Sequence, residues 1–206
     1  MNDFTGTYGI DPAWIAGGAA LLVLLAGLVW WWLRRNRTLE QRIRKVSAEA
    51  LSGILIPDGD DGEIHVEHAL LTHRGVLVID IKEVEGNVFG SDSMHDWTVI
   101  ADTHRFTFNN PQQALYDRMA AIRRLMPDVP VTGYVAFTNS AEFSKGRPSN
   151  VVMLDELFDE LRAEQKTAQS QSVDAFYPHW SKLRDEAVTA QVGQLLKRQL
   201  KKKQVR

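Results

Sequence analysis

The sequence predicts a domain of the α/β or α+β class, a sheet with helices packed against it, preceded by one transmembrane helix. Two observations predict it. Short β-rich runs crowd the stretch from Ile54 to Phe108 and then give way, after Asn110 and Pro111, to helix, strand and helix. Before them, the uncharged run from Ala13 to Leu33 covers, at about 1.5 Å of rise per residue, roughly the hydrocarbon thickness of a bilayer.

Trp14 near one end of that run and Trp30, Trp31 and Trp32 near the other suit the two membrane interfaces, and Arg34, Arg35 and Arg37 follow at once. Positive residues stay on the cytoplasmic side, so the N-terminus is expected outside and the C-terminal part inside, in the inner (cytoplasmic) membrane. A cleaved leader would carry its basic residues before the apolar run rather than after it. The expected organisation is a short extracytoplasmic N-terminus (1–12), a transmembrane helix (13–33), a juxtamembrane linker (34–50), a core (51–153), and C-terminal helices with a basic tail (154–206). With no cysteine in the chain, neither a disulfide framework nor a thiolate metal site can form. All 24 Lys and Arg residues lie at or after Arg34, while Asp3 and Asp11 precede it. The soluble part is therefore electrically balanced, and no domain-wide basic field is present to grip nucleic acid.

Along the soluble part, Leu39, Ile43, Val46 and Ala50 recur at helical spacing and predict a helix over 38–51. Ile54 to Ile56 is a short strand ended by Pro57, and Asp58 to Gly62 is a polar turn. Glu63 to Leu71 and Val76 to Lys82, around His73, Arg74 and Gly75, read as a hairpin. Further strands are expected at 87–90, 97–101 and 105–108. Asn110 and Pro111 open a helix with Leu115, Met119, Ile122 and Leu125 on one face. Val131 to Phe137 suits a central strand, Val151 to Met153 another, and the remainder is helical over 154–165 and from 173 to about 203, with a break near Pro178.

The chemistry-bearing residues cluster on the hairpin. Side chains alternate across a strand, so Val76, Val78, Asp80 and Lys82 share one face, and Glu63, His65, Glu67, Ala69 and Leu71 share one on the neighbouring strand. If Leu71 pairs with Val76, Glu67 faces Asp80; in the alternative register it faces Lys82. Two carboxylates on an apolar sheet are costly to bury uncompensated. Mg²⁺ or Mn²⁺ would compensate them, with Glu67 and Asp80 as hard oxygen ligands and Lys82 steadying developing charge, which is chemistry for phosphodiester hydrolysis. A plain salt bridge on a sheet is the competing reading.

The segments Gly62 to His68, Leu71 to Lys82, Gly86 to Gly90 with Trp97, and Phe108 to Pro111, in that order, resemble the nuclease-related domain, NERD. The likeness extends through Arg123, Arg124 and Leu125 to the run Val131 to Phe137. That family is assigned to the PD-(D/E)XK nuclease superfamily, so the resemblance implies a mixed central sheet flanked by helices, restriction-endonuclease-like. It also implies Glu67 and Asp80 as metal ligands and Lys82 as the catalytic lysine, acting on DNA or RNA. The family more often has Asp at the place of Glu67 and Glu at that of Asp80. Glu49 and Glu40 are the candidates for a helix glutamate common in the superfamily, and Gln113 is nearest to the glutamine expected after the Asn-Pro pair. His65, on the acidic face, is a further accessory candidate. The tail Lys197, Arg198, Lys201, Lys202 and Lys203 is the one strongly basic patch, suited to anionic lipid or to nucleic acid phosphates. The alternative function is a catalytically inactive, membrane-tethered module that binds nucleic acid or a protein partner.

Overall fold

The computed structural model describes residues 38–59, 62–102, 104–167 and 171–204, with the side chains of the last helix described over 173–193. Two compact units divide the chain, residues 1–41 and 42–206. The apolar run Ala13 to Leu33 lies outside the described residues, and no helix among the described residues is long and apolar enough to cross a membrane.

The helix expected over 38–51 is only α1 (Leu39–Ile43). The chain turns and enters β1 (Glu49–Pro57), because Glu49 to Leu51 pair with Leu71 to Ala69 of β2 (Glu63–Thr72). Ile43 and Val46 are buried without the helix continuing. Strand pairing outweighs the local helical spacing here. Gly62 closes the turn between these strands, its N–H donating to Asp58 Oδ1 at 3.1 Å. β2 then pairs antiparallel with β3 (Gly75–Lys82), Leu71 opposite Val76, which is the first of the two registers the sequence allows.

β4 (Gly86–Phe89), β5 (Asp96–Ala101) and β6 (His104–Asn109) follow the hairpin. Next comes α2 (Pro111–Leu125), capped by Asn110, whose side-chain oxygen accepts from the Gln112 N–H at 2.9 Å. Pro111 occupies the first turn, where its missing N–H leaves no bond unmade. β7 (Val131–Phe137), β8 (Ala141–Glu142), β9 (Val151–Met153), α3 (Leu154–Thr167) and α4 (Gln171–Gln204) complete the described chain. α4 runs through Pro178, where the sequence predicts a break. Proline removes one backbone bond, but Trp180, Leu183 and Ala187 are buried beyond it, and that burial holds the helix across the gap.

The strands form two mixed sheets. The larger has the order β1-β2-β3-β7-β9, antiparallel through β3 and parallel from there to β9, and the smaller has the order β6-β5-β4-β8. The separate second sheet has no counterpart in the sequence reading. Aromatic contact joins the two: the fully buried Trp97 of β5 stacks on Phe137 of β7 at 6.3 Å and meets Phe108 edge-on at 6.1 Å. Trp97 is thus a core anchor between the two sheets.

Candidate active site

The site is assembled where α2 crosses β3 and β7. Gly133 on β7 lies opposite Val78 of β3, and a Cβ there would sit 2.6 Å from Met119 Sδ and 3.0 Å from Leu115 Cδ1. The absent side chain lets α2 approach the sheet closely. Asp80 is the next residue on that face of β3, and Arg118 lies on α2 between Leu115 and Ile122. The approach therefore brings them together, with Arg118 Nη1 donating to Asp80 Oδ2 at 2.5 Å. Arg118 Nε also donates to the His65 carbonyl at 2.6 Å, tying β2 to the same guanidinium.

The Asp80 side chain is 1 % exposed. Burial lifts its carboxyl above the ordinary carboxylate range, Arg118 and then Lys82 pull it back, and Glu67 pushes it up again. Among the described residues only one of its oxygens has a partner, since Oδ1 is buried with no hydrogen bond. Glu67 has a matching arrangement. The β2–β3 ladder ends at His68 opposite Ile79, and beyond it Glu67 Oε2 accepts from the Ile81 N–H at 3.0 Å. The side chain supplies the acceptor that the departing strand no longer offers. Opposite Glu67, on β1, stands Gly53 at φ +63°, and neither joins the regular ladder.

Lys82 is half-buried, and among the described residues its ammonium has no hydrogen-bond or ion-pair partner. Asp80, Lys82 and Arg118 line one cleft of about 460 Å³, together with Phe106, Phe108 and Asn109. Glu67 and Lys82 each come within electrostatic reach of Asp80.

The accessory candidates are placed elsewhere. Glu49 lies on β1 rather than on a helix. Its Oε2 accepts from Trp180 Nε1 at 2.7 Å and pairs with Arg184 at 3.5 Å, a tie to α4. Along β1 it is roughly 13 Å from the level of Glu67, at about 3.3 Å per residue. Glu40 is exposed on α1. Gln113 is exposed and bonds to Asp117 on its own helix at 3.2 Å, whereas the neighbouring Gln112 is the buried one, held by Asp92 Oδ1 at 2.7 Å and the Ser149 carbonyl at 2.6 Å. His65 is exposed and contributes its carbonyl, while His68 is buried against Ser52 Oγ at 2.9 Å. The tail cations Lys197, Arg198, Lys201, Lys202 and Lys203 lie outside the described side chains.

Sequence reasoning missed Arg118. Its signal was available: a cation three residues after Leu115 and four before Ile122 sits on the apolar stripe of α2, where a charge demands a buried partner.

The family model described as the nuclease-related domain, NERD, matches residues 32–138, just over half of the chain. The chain belongs to the NERD family. No curated protein and no solved structure matches it. The matched segment contains Glu67, Asp80, Lys82 and Arg118 and ends just after β7, so β9, α3 and α4 lie beyond it.

The nuclease superfamily that the sequence resemblance implies would bring a divalent metal, and the donor set can be tested against one. Among the described residues no group of three or more His, Asp or Glu side chains is placed to hold a metal. Mg²⁺ is commonly held by only one or two carboxylates, with water and substrate phosphate completing its shell. Asp80 Oδ1, buried and without a partner, and the second oxygen of Glu67 are donors of that kind. By donor chemistry Glu67 and Asp80 are hard-oxygen residues of the kind that would hold such an ion.

Proposed function

We propose that this NERD protein is a membrane-anchored, metal-dependent nuclease that hydrolyses phosphodiester bonds of DNA or RNA at the cytoplasmic face. One observation carries the reading: Asp80 and Glu67 each have one oxygen tied by the protein and the other without a partner among the described residues, and Asp80 and Lys82 line one cleft. Arg118 and the Ile81 N–H fix the two carboxylates, so neither reorganises when a ligand arrives. Asp80 and Glu67 would hold Mg²⁺ or Mn²⁺, and when bound the ion supplies polarisation of the phosphoryl oxygen and a more acidic water. The Lys82 ammonium holds the phosphate and offsets the charge that develops on it as the bond to the leaving oxygen breaks. The apolar run Ala13 to Leu33 keeps this cleft at the membrane, and the basic tail from Lys197 to Lys203 favours anionic lipid or nucleic acid nearby.

A second reading is favoured by the Arg118–Asp80 pair itself, which compensates the buried charge without any ion. On that reading the protein is a tethered binding module. Titration calorimetry of the full chain in detergent micelles with Mn²⁺ and Mg²⁺ separates the two. Saturable binding by the wild type that disappears in Asp80→Ala, with metal-dependent cleavage lost in Asp80→Ala and Lys82→Ala, is the expected result. A folded wild-type chain that binds neither ion and cleaves nothing selects the binding module.

A further inference from the structure

Phe106 occupies a position that the fold has reasons to bury and does not. On β5 and β6 Trp97 pairs with Phe108 and Val99 with Phe106, so these four side chains share the inward face of the second sheet. Trp97 and Val99 are fully buried, yet Phe106 is 47 % exposed. β6 is the end strand of its sheet, and Phe106 there lines the same cleft as Asp80 and Lys82.

We propose that the cleft takes single-stranded nucleic acid, with Phe106 stacking the base next to the phosphate that reaches Asp80 and Lys82. This rests on the nuclease reading of the same site. An aromatic ring beside a cation is the arrangement that binds a strand without reading its sequence, since every base offers a π face and every linkage a phosphate. Lys82 supplies the cation, within electrostatic reach of Asp80 but without a direct ion-pair contact among the described residues. The depth of the site selects the strand. Asp80 is 1 % exposed, so a phosphate must enter the cleft to meet it, and about 460 Å³ is the size of a small-molecule pocket. A duplex is a stiff rod, and lowering one of its linkages into such a space costs the deformation energy of a local kink. A single strand turns at each nucleotide, and its unpaired base is free to lie on Phe106.

Fluorescence anisotropy of the full chain in detergent micelles tests this, with chelator present so that no turnover occurs. The probes are fluorescein-labelled oligo(dT) and a blunt duplex of equal length. Oligo(dT) is expected to bind on the order of tenfold more tightly than the duplex, Phe106→Ala to lose about tenfold of that affinity, and Phe106→Trp to recover it. The exposed position of Phe106 lets these variants fold, which matching melting curves would verify. Equal binding by wild type and Phe106→Ala, or a duplex bound as well as the single strand, overturns the proposal. If Phe106→Ala binds normally while Lys82→Ala weakens binding and Mn²⁺ titration is intact, the stacking subsite alone is wrong and the nuclease reading stands. Absence of binding to either probe, with no Mn²⁺ binding, removes both.

Discussion

At the scale of single residues the site is governed by one buried ion pair. Asp80, 1 % exposed, is paired with Arg118, itself 21 % exposed, and removing one partner of such a pair leaves the other buried without compensation. Arg118→Gln is expected to cost about 3 kcal/mol of stability, measured by chemical denaturation. The double variant Asp80→Asn with Arg118→Gln should cost clearly less than the two single losses together, since no buried charge remains. Asp92 carries a different prediction. Hydrogen bonds from the Gln112 amide and from Ser149 Oγ and N–H hold its carboxyl below the ordinary value. A lowered carboxyl contributes stability above its unfolded value of 3.8 and loses it as pH falls through the folded value. The stability advantage of wild type over Asp92→Asn should therefore be constant near neutrality and vanish in strong acid. Unfolding measured from pH 7 to pH 2 checks it, and an advantage that grows on acidification would contradict it.

At the scale of elements, the distance between α2 and the larger sheet decides whether the site exists. Gly133 permits that distance, because a Cβ there would meet Met119 Sδ at 2.6 Å. Gly133→Ala is expected to destabilise by about 1 to 2 kcal/mol through overpacking and to weaken Mn²⁺ binding in the same variant, as Arg118 is lifted from Asp80. Calorimetry and denaturation on one preparation read both effects. Unchanged metal affinity with reduced stability would show that α2 does not position the ligands. The other end of the larger sheet depends on α4, where Trp180 and Arg184 converge on Glu49. A glutamate that resembles a catalytic candidate in sequence thus holds the terminal helix against β1.

At the scale of the whole molecule, the proposed anchor sets where this chemistry operates. With Ala13 to Leu33 uncharged and three arginines directly after it, the full chain is expected to stay with membranes through alkaline carbonate extraction. Deletion of 13–33 should release it to the supernatant, and protease added to the outer face should leave the domain intact. Release of the full chain by carbonate would refute the spanning helix, and digestion of the domain from outside would reverse its orientation.

By itself the sequence determined the strand pattern of the hairpin, the span of α2 from Pro111, the run of β7 and the gathering of Glu67, Asp80 and Lys82. These are local properties: alternation fixes which side chains share a face, and the Asn110 cap fixes where a helix starts. Only the tertiary structure decided that α1 stops at Ile43 so that β1 can pair, that β4, β5, β6 and β8 leave to form a second sheet, and that Arg118 closes on Asp80. Each of these depends on partners distant in the chain, whose burial and pairing energies outweigh local propensity and are not written at the position they control.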